Sequence, residues 1–481
     1  MSVAPVQPQL DLADIQGNLL RGYRSANARH FALGIGKPEM AAAFVGGLIS
    51  GDEDLSPQIT TAEEWDDRPP YRLNIGLTWV GLQALGVPSG VLDDFPQAYQ
   101  QGPALRAGQQ DPDFPNGAGL GDRDESAPES WILGGLTNPT VHMLVSLYTD
   151  ERRHTHLDEV SMRLRKRFAA TDLTEIWSDD ANALPLGGVH FGYRDGIAQP
   201  EIEGANPRDR PDMQPKARLG DFLLGRDYVN AFGGNYLGNL LSQLGDNGTY
   251  AAFRVLRQDV QTFEQLLKQW GDQWGKDPEL LAAKLLGRWR NGVPLTLSPE
   301  TQQADPPIGD ARLNDFDYAP AAGHTTYYDD FEGRRCPIGA HIRRLNPRSS
   351  LVAGLPHSRR LIRRGMPYGP PFDPEHPDDG KERGLVGLFI CGDLELQYEF
   401  ILRTWANEDL ATNGLRGTRD PLIGHQPPNG GQFVLRVDDG RDPIVLTGIP
   451  TLVQTRGSVY CFVPGIGGLR YLASVPGGAT A

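Results

Sequence analysis

Cysteine is scarce in this chain. Its 481 residues include three, Cys336, Cys391 and Cys461, too few for a disulfide framework, and none stands in a Cys-x-x-Cys pair. Positive charge is also in short supply, with 46 Lys and Arg against 61 Asp and Glu and a formal net charge of −15. That balance argues against a general nucleic-acid or acidic-membrane partner, since either gains affinity from a positive face. No apolar stretch reaches the roughly 18 residues that a bilayer-spanning helix needs. Met1 to Leu12 carries neither a basic region followed by an apolar run nor twin arginines, so no secretion signal is visible and a reducing cytoplasm is the expected compartment. Spacing reveals no internal repeat. Glycine and proline, by contrast, are plentiful. The 58 and 39 of them make up about a fifth of the chain, below the roughly 25–30% that signals disorder, so long ordered loops are expected.

Length alone suggests two to three domains of about 150 residues. In the first half, short apolar strands are expected at 30–36, 72–79, 141–149 and 174–180, with amphipathic helices at 39–50 and 151–169. Their order is β-α-β-β-α-β, the ferredoxin-like pattern. A polar, proline-rich connection follows from Glu201 to Leu219. The second half predicts a strand at 249–257, helices at 261–274 and 278–291, a strand at 385–392, a helix at 394–407 and closing strands at 432–437 and 458–463. Two long loops, 298–324 and 370–383, interrupt it, and loops of that length are usually functional or mobile.

Three separated segments carry chemistry. The first is Gly192-Tyr193-Arg194-Asp195-Gly196, the second Gly339-Ala340-His341-Ile342-Arg343-Arg344-Leu345-Asn346-Pro347-Arg348, the third Leu361-Ile362-Arg363-Arg364-Gly365-Met366-Pro367-Tyr368-Gly369. They supply a carboxylate that can move a proton, a histidine that can hold a metal and an arginine that can stabilise departing negative charge, the parts that peroxide cleavage on iron requires. Each has a plainer reading by itself. An aspartate between glycines is commonly a tight turn with a solvated carboxylate. The basic cluster of Arg343, Arg344, Arg348, Arg359, Arg360, Arg363 and Arg364 would be a solvated face without the histidine beside it, and no aromatic stacking pattern accompanies it. His154 and His156 at a charged helix start, and His376 among Asp373, Glu375, Asp378 and Asp379, read as solvent-exposed.

In this order and with these flanks the segments resemble the dye-decolorizing peroxidase family. The resemblance begins at Asp14-Ile15-Gln16-Gly17-Asn18-Leu19-Leu20-Arg21-Gly22-Tyr23, runs through His190 to Pro200, and ends with Gly387-Leu388-Phe389-Ile390, Gln397-Tyr398-Glu399-Phe400 and Trp405-Ala406-Asn407. It implies an α+β fold of two ferredoxin-like domains with antiparallel sheets, divided at 1–215 and 216–481, haem being held mainly by the second. It also implies one haem b per chain, and the absence of Cys-x-x-Cys-His makes that haem non-covalent. The implied activity is reduction of hydrogen peroxide with oxidation of dyes, phenolics or other small aromatic reductants. Neither nucleic acid nor membrane is an expected partner, and a homo-oligomer is compatible with the sequence.

Residue by residue, the resemblance makes His341 the axial ligand of iron, Asp195 the acid–base and Arg363 the charge stabiliser. It assigns Arg343 and Arg348, with Arg363, to the haem, the first two at its propionates, and sets Leu388 and Phe389 over its distal face. Asp420 is the expected carboxylate behind His341, and Trp405 the expected oxidisable residue near the surface through which a bulky dye gives up electrons. One departure stands out: relatives have a leucine where this chain has Gly387, which puts the width of the peroxide channel and the role of Leu388 in question. The competing reading is a haem delivery, sensing or iron-release protein, which gives Asp195 no task. A metal-dependent hydrolase would want HExxH or paired histidines, and the 464–468 glycine run lacks the lysine of a phosphate loop.

Overall fold

A computed structural model describes residues 10–475 apart from 52–56, 108–118, 151–154, 206–214, 226, 230–234, 238–241, 305–309, 320–329, 351–355, 410–414 and 437–441. His154 and parts of both the 201–219 connection and the 298–324 loop lie outside the described residues. The first-half pattern is present as β1 (Asn27–Ile35), a helix at Pro38–Ser50, β2 (Tyr71–Leu77), β3 (Met143–Thr149), a helix at Thr155–Ala170 and β4 (Leu173–Asn182). Every residue of β3 is buried, because both faces of the sheet are covered. Val145 and Leu147 pack with Phe31, Phe44, Leu48, Leu164 and Phe168 under the helices, while Leu144 and Tyr148 join Ala28, Ala32 and Tyr23 on the other side.

The second half continues with β5 (Asp227–Val229) and β6 (Asn235–Leu237), which form a small ribbon, then β7 (Thr249–Gln258), β8 (Ile362–Tyr368), β9 (Gly384–Cys391), β10 (Gly431–Leu435), β11 (Ile444–Ile449) and β12 (Val453–Val463). Eight strands make one sheet in the order β4-β1-β3-β2-β12-β7-β9-β8. The right-hand four repeat the left-hand arrangement. Taking β7, β8, β9 and β12 as first to fourth, their order is fourth, first, third, second, as it is for β1 to β4. The main sheet therefore holds two ferredoxin-like units. They meet at a single register pair, Phe462 with Leu77, whereas β12 pairs with β7 over ten positions.

Local chemistry explains the helices of the second unit. Asp259 accepts the Thr262 N–H at 3.1 Å to open Val260–Trp274, and Gly275 closes it in the left-handed conformation. Its face Val260, Phe263, Leu266, Leu267 and Trp270 is buried at helical spacing. The following helix spans Pro278–Leu286 and stops five residues short of the expected end, since Gly287 adopts φ +97. The 394–407 helix is wound as two π segments, Leu394–Glu399 and Ile401–Ala406. Over so short a stretch, apolar spacing does not separate that winding from an α-helix, and such turns gather at functional sites.

Candidate functional site

Between β7–β9, the π segments and the 187–200 segment lies a cavity with about 2230 Å³ of atom-free space, its open mouth included. Asp195, His341, Arg348, Arg363, Leu388 and Phe389 all line it. The structure thus gathers six of the predicted residues from across the chain.

Asp195 stands on a tight loop. Val189 donates its N–H to the Tyr193 carbonyl at 2.9 Å, and Gly192 donates to Val189 at 2.7 Å. Gly192 has φ +84, and a Cβ there would lie 2.3 Å from Nη1 of Arg290, the group that donates to the Phe191 carbonyl at 2.7 Å. Phe191 and Tyr193 sink into the core of the second unit against Phe263. The loop is early in sequence yet is fixed by helices that come later, and its aspartate is left 39% exposed.

Arg363 reaches the same space from β8. Its Nη1 is 3.8 Å from Asp195 Oδ1, close enough for attraction and too long for a hydrogen bond. Gln199 clamps the backbone beneath it, donating to the Arg363 carbonyl at 3.0 Å and accepting its N–H at 3.1 Å. Sequence reasoning passed over Gln199, although it lies four residues after Asp195. The neighbouring Arg364 turns toward the N-terminal segment, donating to the carbonyls of Asn18 at 2.7 Å and Leu19 at 3.1 Å. Burial pushes Arg364 down to about 10 despite Tyr23 and Tyr148 nearby.

His341 opens the short helix His341–Leu345. Its Nδ1 lies 3.1 Å from both carboxylate oxygens of Asp420, which is fully buried and also accepts the N–H groups of Leu422 and Ile423 at 3.0 and 2.9 Å. Burial alone would raise Asp420, but the pull of His341, these hydrogen bonds and Arg344 outweigh it and hold the carboxyl below its ordinary value. With Nδ1 donating to the carboxylate, Nε2 keeps the free lone pair.

Two expected residues are placed elsewhere. Arg343 is not among the cavity walls. It is fully buried in a knot with Asp330 (3.2 Å), the carbonyls of Cys336, Asp330 and Phe331, and the Tyr318 ring, so both its terminal nitrogens are engaged in bracing the loop before His341. Trp405 is 1% exposed within the Ile401–Ala406 segment, its carbonyl bound by Arg344, and so is not itself open to solvent. Strand alternation also separates the distal pair: Phe389 shares a face and a register pair with Arg363, while Leu388 pairs with Arg364 and packs with Ile362 and Ile390. His376 is exposed and paired with Asp373 at 2.9 Å.

The sequence reading missed Arg288, and Arg360 only appeared in a cluster. Both line the cavity with Arg348. Arg288 donates through Nη1 to the Gly292 carbonyl at 3.1 Å and to Leu313, while its buried Nη2 has no hydrogen-bond partner among the described residues. Burial, reinforced by Arg348 and Arg363, pushes Arg288 down to about 9, and burial brings Arg360 to about 10. None of the three forms an ion pair with a carboxylate among the described residues. Guanidinium keeps its proton at ordinary pH, so the depression expresses the burial of these cations, which Asp221 near Arg360 and Asp317 and Asp315 near Arg348 offset only in part.

Among the described residues no group of three or more His, Cys, Asp or Glu side chains is placed to hold a metal ion, and no helix is long and apolar enough to cross a membrane. No family model matches the chain. Similar proteins are nonetheless clear. A dye-decolorizing peroxidase of Mycena epipterygia is 30% identical over 509 residues, covering 98% of this chain and 89% of that protein, and peroxidase 2 of Mycetinis scorodonius is 28% identical over 500 residues, covering 98% and 90%. Solved structures agree. A fungal DyP-type peroxidase from Auricularia auricula-judae has a TM-score of 0.77 at 25% identity, covering 97% of this chain and 99% of that one, and a dye-decolorizing peroxidase in complex with 2,6-dimethoxyphenol has a TM-score of 0.76 at 25% identity, covering 97% and 100%. The chain belongs to the dye-decolorizing peroxidase family, and it is a haem peroxidase.

Proposed function

We propose that this cavity takes one non-covalent haem b per chain, that His341 would hold its iron, and that Asp195 and Arg363 carry out peroxide cleavage, with dyes, phenolics and other small aromatic molecules as reductants. The observation that carries this reading is the meeting in one cavity of a histidine backed by a buried carboxylate and a solvent-reached Asp–Arg pair. The residues present fit the cofactor. Nε2 of His341 is the available donor, Arg288, Arg348 and Arg360 provide cations for two propionates, and the unpartnered Nη2 of Arg288 fits such an anion. Haem, when bound, supplies the exchange of electrons between hydrogen peroxide and the organic reductant.

The chain's own residues supply the proton and charge chemistry. Asp195 accepts the proton from one peroxide oxygen at its carboxylate and returns it to the other as the O–O bond breaks. Arg363 stabilises the negative charge that gathers on the departing oxygen, and the Gln199 clamp keeps its strand from shifting. Asp420 holds the tautomer and orientation of His341. A haem delivery or sensing protein would have no use for an aspartate held open 3.8 Å from an arginine.

His341→Ala tests the assignment. Titrated with haem, the wild-type protein should develop a Soret band that changes on adding one equivalent of peroxide, and the variant should bind haem poorly or with an altered spectrum. A variant indistinguishable from wild type in this titration would refute it.

A further inference from the structure

Gly387 sits inside β9, paired with β7 on one side and β8 on the other. Glycine weakens a strand interior, so its presence there calls for a reason. The backbone is not that reason, because Gly387 is not among the residues with positive φ. The reason is a ring. A Cβ at position 387 would lie 2.7 Å from Cε2 and 3.0 Å from Cζ of Phe389. Residues two apart in a strand share a face, so Phe389 leans back along β9 and rests where a side chain at 387 would be. Directly across β8 stands Gly365, also without a side chain, and across β7 stands Arg254, held by Asp122 at 2.5 and 2.7 Å.

The ring is therefore drawn away from its own row, Arg363-Phe389-Ala252. On its other side the ring lies 5.5 Å from that of Tyr398. A side chain at 387 would lift Phe389 off the sheet, and with Tyr398 beside it the free direction is the cavity. The Tyr398 hydroxyl is buried without a hydrogen-bond partner among the described residues, and Tyr398 lines the same wall.

We propose that Gly387 determines which molecules reach the acid–base pair: by seating Phe389 against the sheet it leaves room for a monocyclic phenol to enter beside Asp195 and Arg363. A larger residue at 387 confines the space to peroxide. This inference rests on the haem peroxidase reading.

The test uses the holoenzyme and two ligands of iron that differ in size, cyanide and 4-phenylimidazole, each titrated by the Soret shift. Gly387→Leu should weaken 4-phenylimidazole about 30-fold and alter cyanide by no more than about threefold, since steric exclusion acts on the larger ligand alone. Adding Phe389→Ala to Gly387→Leu should recover most of the loss, because the displaced ring is what fills the space. Equal loss of both ligands, no loss of the larger one, or no recovery in the double variant would each overturn the proposal. A wild-type protein with no Soret band, or with one that cyanide leaves unmoved, would overturn the haem reading beneath it instead.

Discussion

Arg72 and Arg363 stand at the second residue of the second strand in their respective ferredoxin-like units, β2 and β8. Arg72 is 0% exposed and closed on all sides, with Asp150 taking both its terminal nitrogens at 2.6 and 2.7 Å and Ser25 a further bond. Arg363 is 36% exposed, its carboxylate stands off at 3.8 Å, and apart from the backbone clamp it is tied by one 3.2 Å hydrogen bond from Nη2 to the Ala198 carbonyl. A bidentate pair commits both terminal nitrogens of a guanidinium to one carboxylate, whereas a pair held slightly apart leaves them for a third party. One topological position thus holds a structural brace in one unit and, in the other, the arginine proposed above as the charge stabiliser. Arg288 is the limiting case, a buried guanidinium with no carboxylate partner among the described residues.

Substitution at the open arginine should have the largest effect. Arg363→Leu is expected to slow the peroxide-dependent spectral change about 100-fold in stopped-flow measurements, with little change in melting temperature, as for loss of a preorganised charge stabiliser. A rate within a few-fold of wild type would erase the distinction between the two arginines. Arg72→Leu should do the converse. Asp150 is 41% exposed and can rehydrate, so the loss is about 2 kcal/mol of folding stability rather than the larger value of a fully buried pair, read by denaturant unfolding with turnover retained. The smallest effect is expected at Arg288. Arg288→Leu should weaken retention of haem about tenfold but that of haem dimethyl ester, which lacks the propionate charges, hardly at all. Equal weakening of both would make Arg288 a structural residue.

The first unit was legible because its strands are apolar and its helices amphipathic, so the period changes at each boundary. The second was not. β8 reads Ile-Arg-Arg-Gly-Met-Pro-Tyr, two charges, a glycine and a proline, which suits an edge strand and matches no strand pattern. Without β8 the repeated strand order cannot be seen. Of the site, the Asp195, His341 and Arg363 segments stand out through their flanks, whereas Gln199, Arg288 and Arg360 act through what surrounds them in space. Arg343 shows the reverse failure: sequence position puts it near His341, but Asp330 and three carbonyls hold it in a different role.

The sheet is continuous in strand order yet almost severed in the middle, where Phe462 and Leu77 make its only register pair. Mechanically it is two plates with a narrow weld. Among the contacts that join the plates is a strap, the 122–133 segment of the first half lying along β12. Asp122 binds Arg254 and Thr455, Ser126 accepts the Thr455 N–H at 3.0 Å, and Ile132 and Leu133 exchange backbone hydrogen bonds with Arg456 and Ser458 at 2.6 and 3.1 Å. Asp122 and Ser126 of this strap, with Leu120 and Gly121 just before it, also form cavity wall. A stretch of chain that helps join the plates therefore also shapes the cavity, so tolerances in one are inherited by the other.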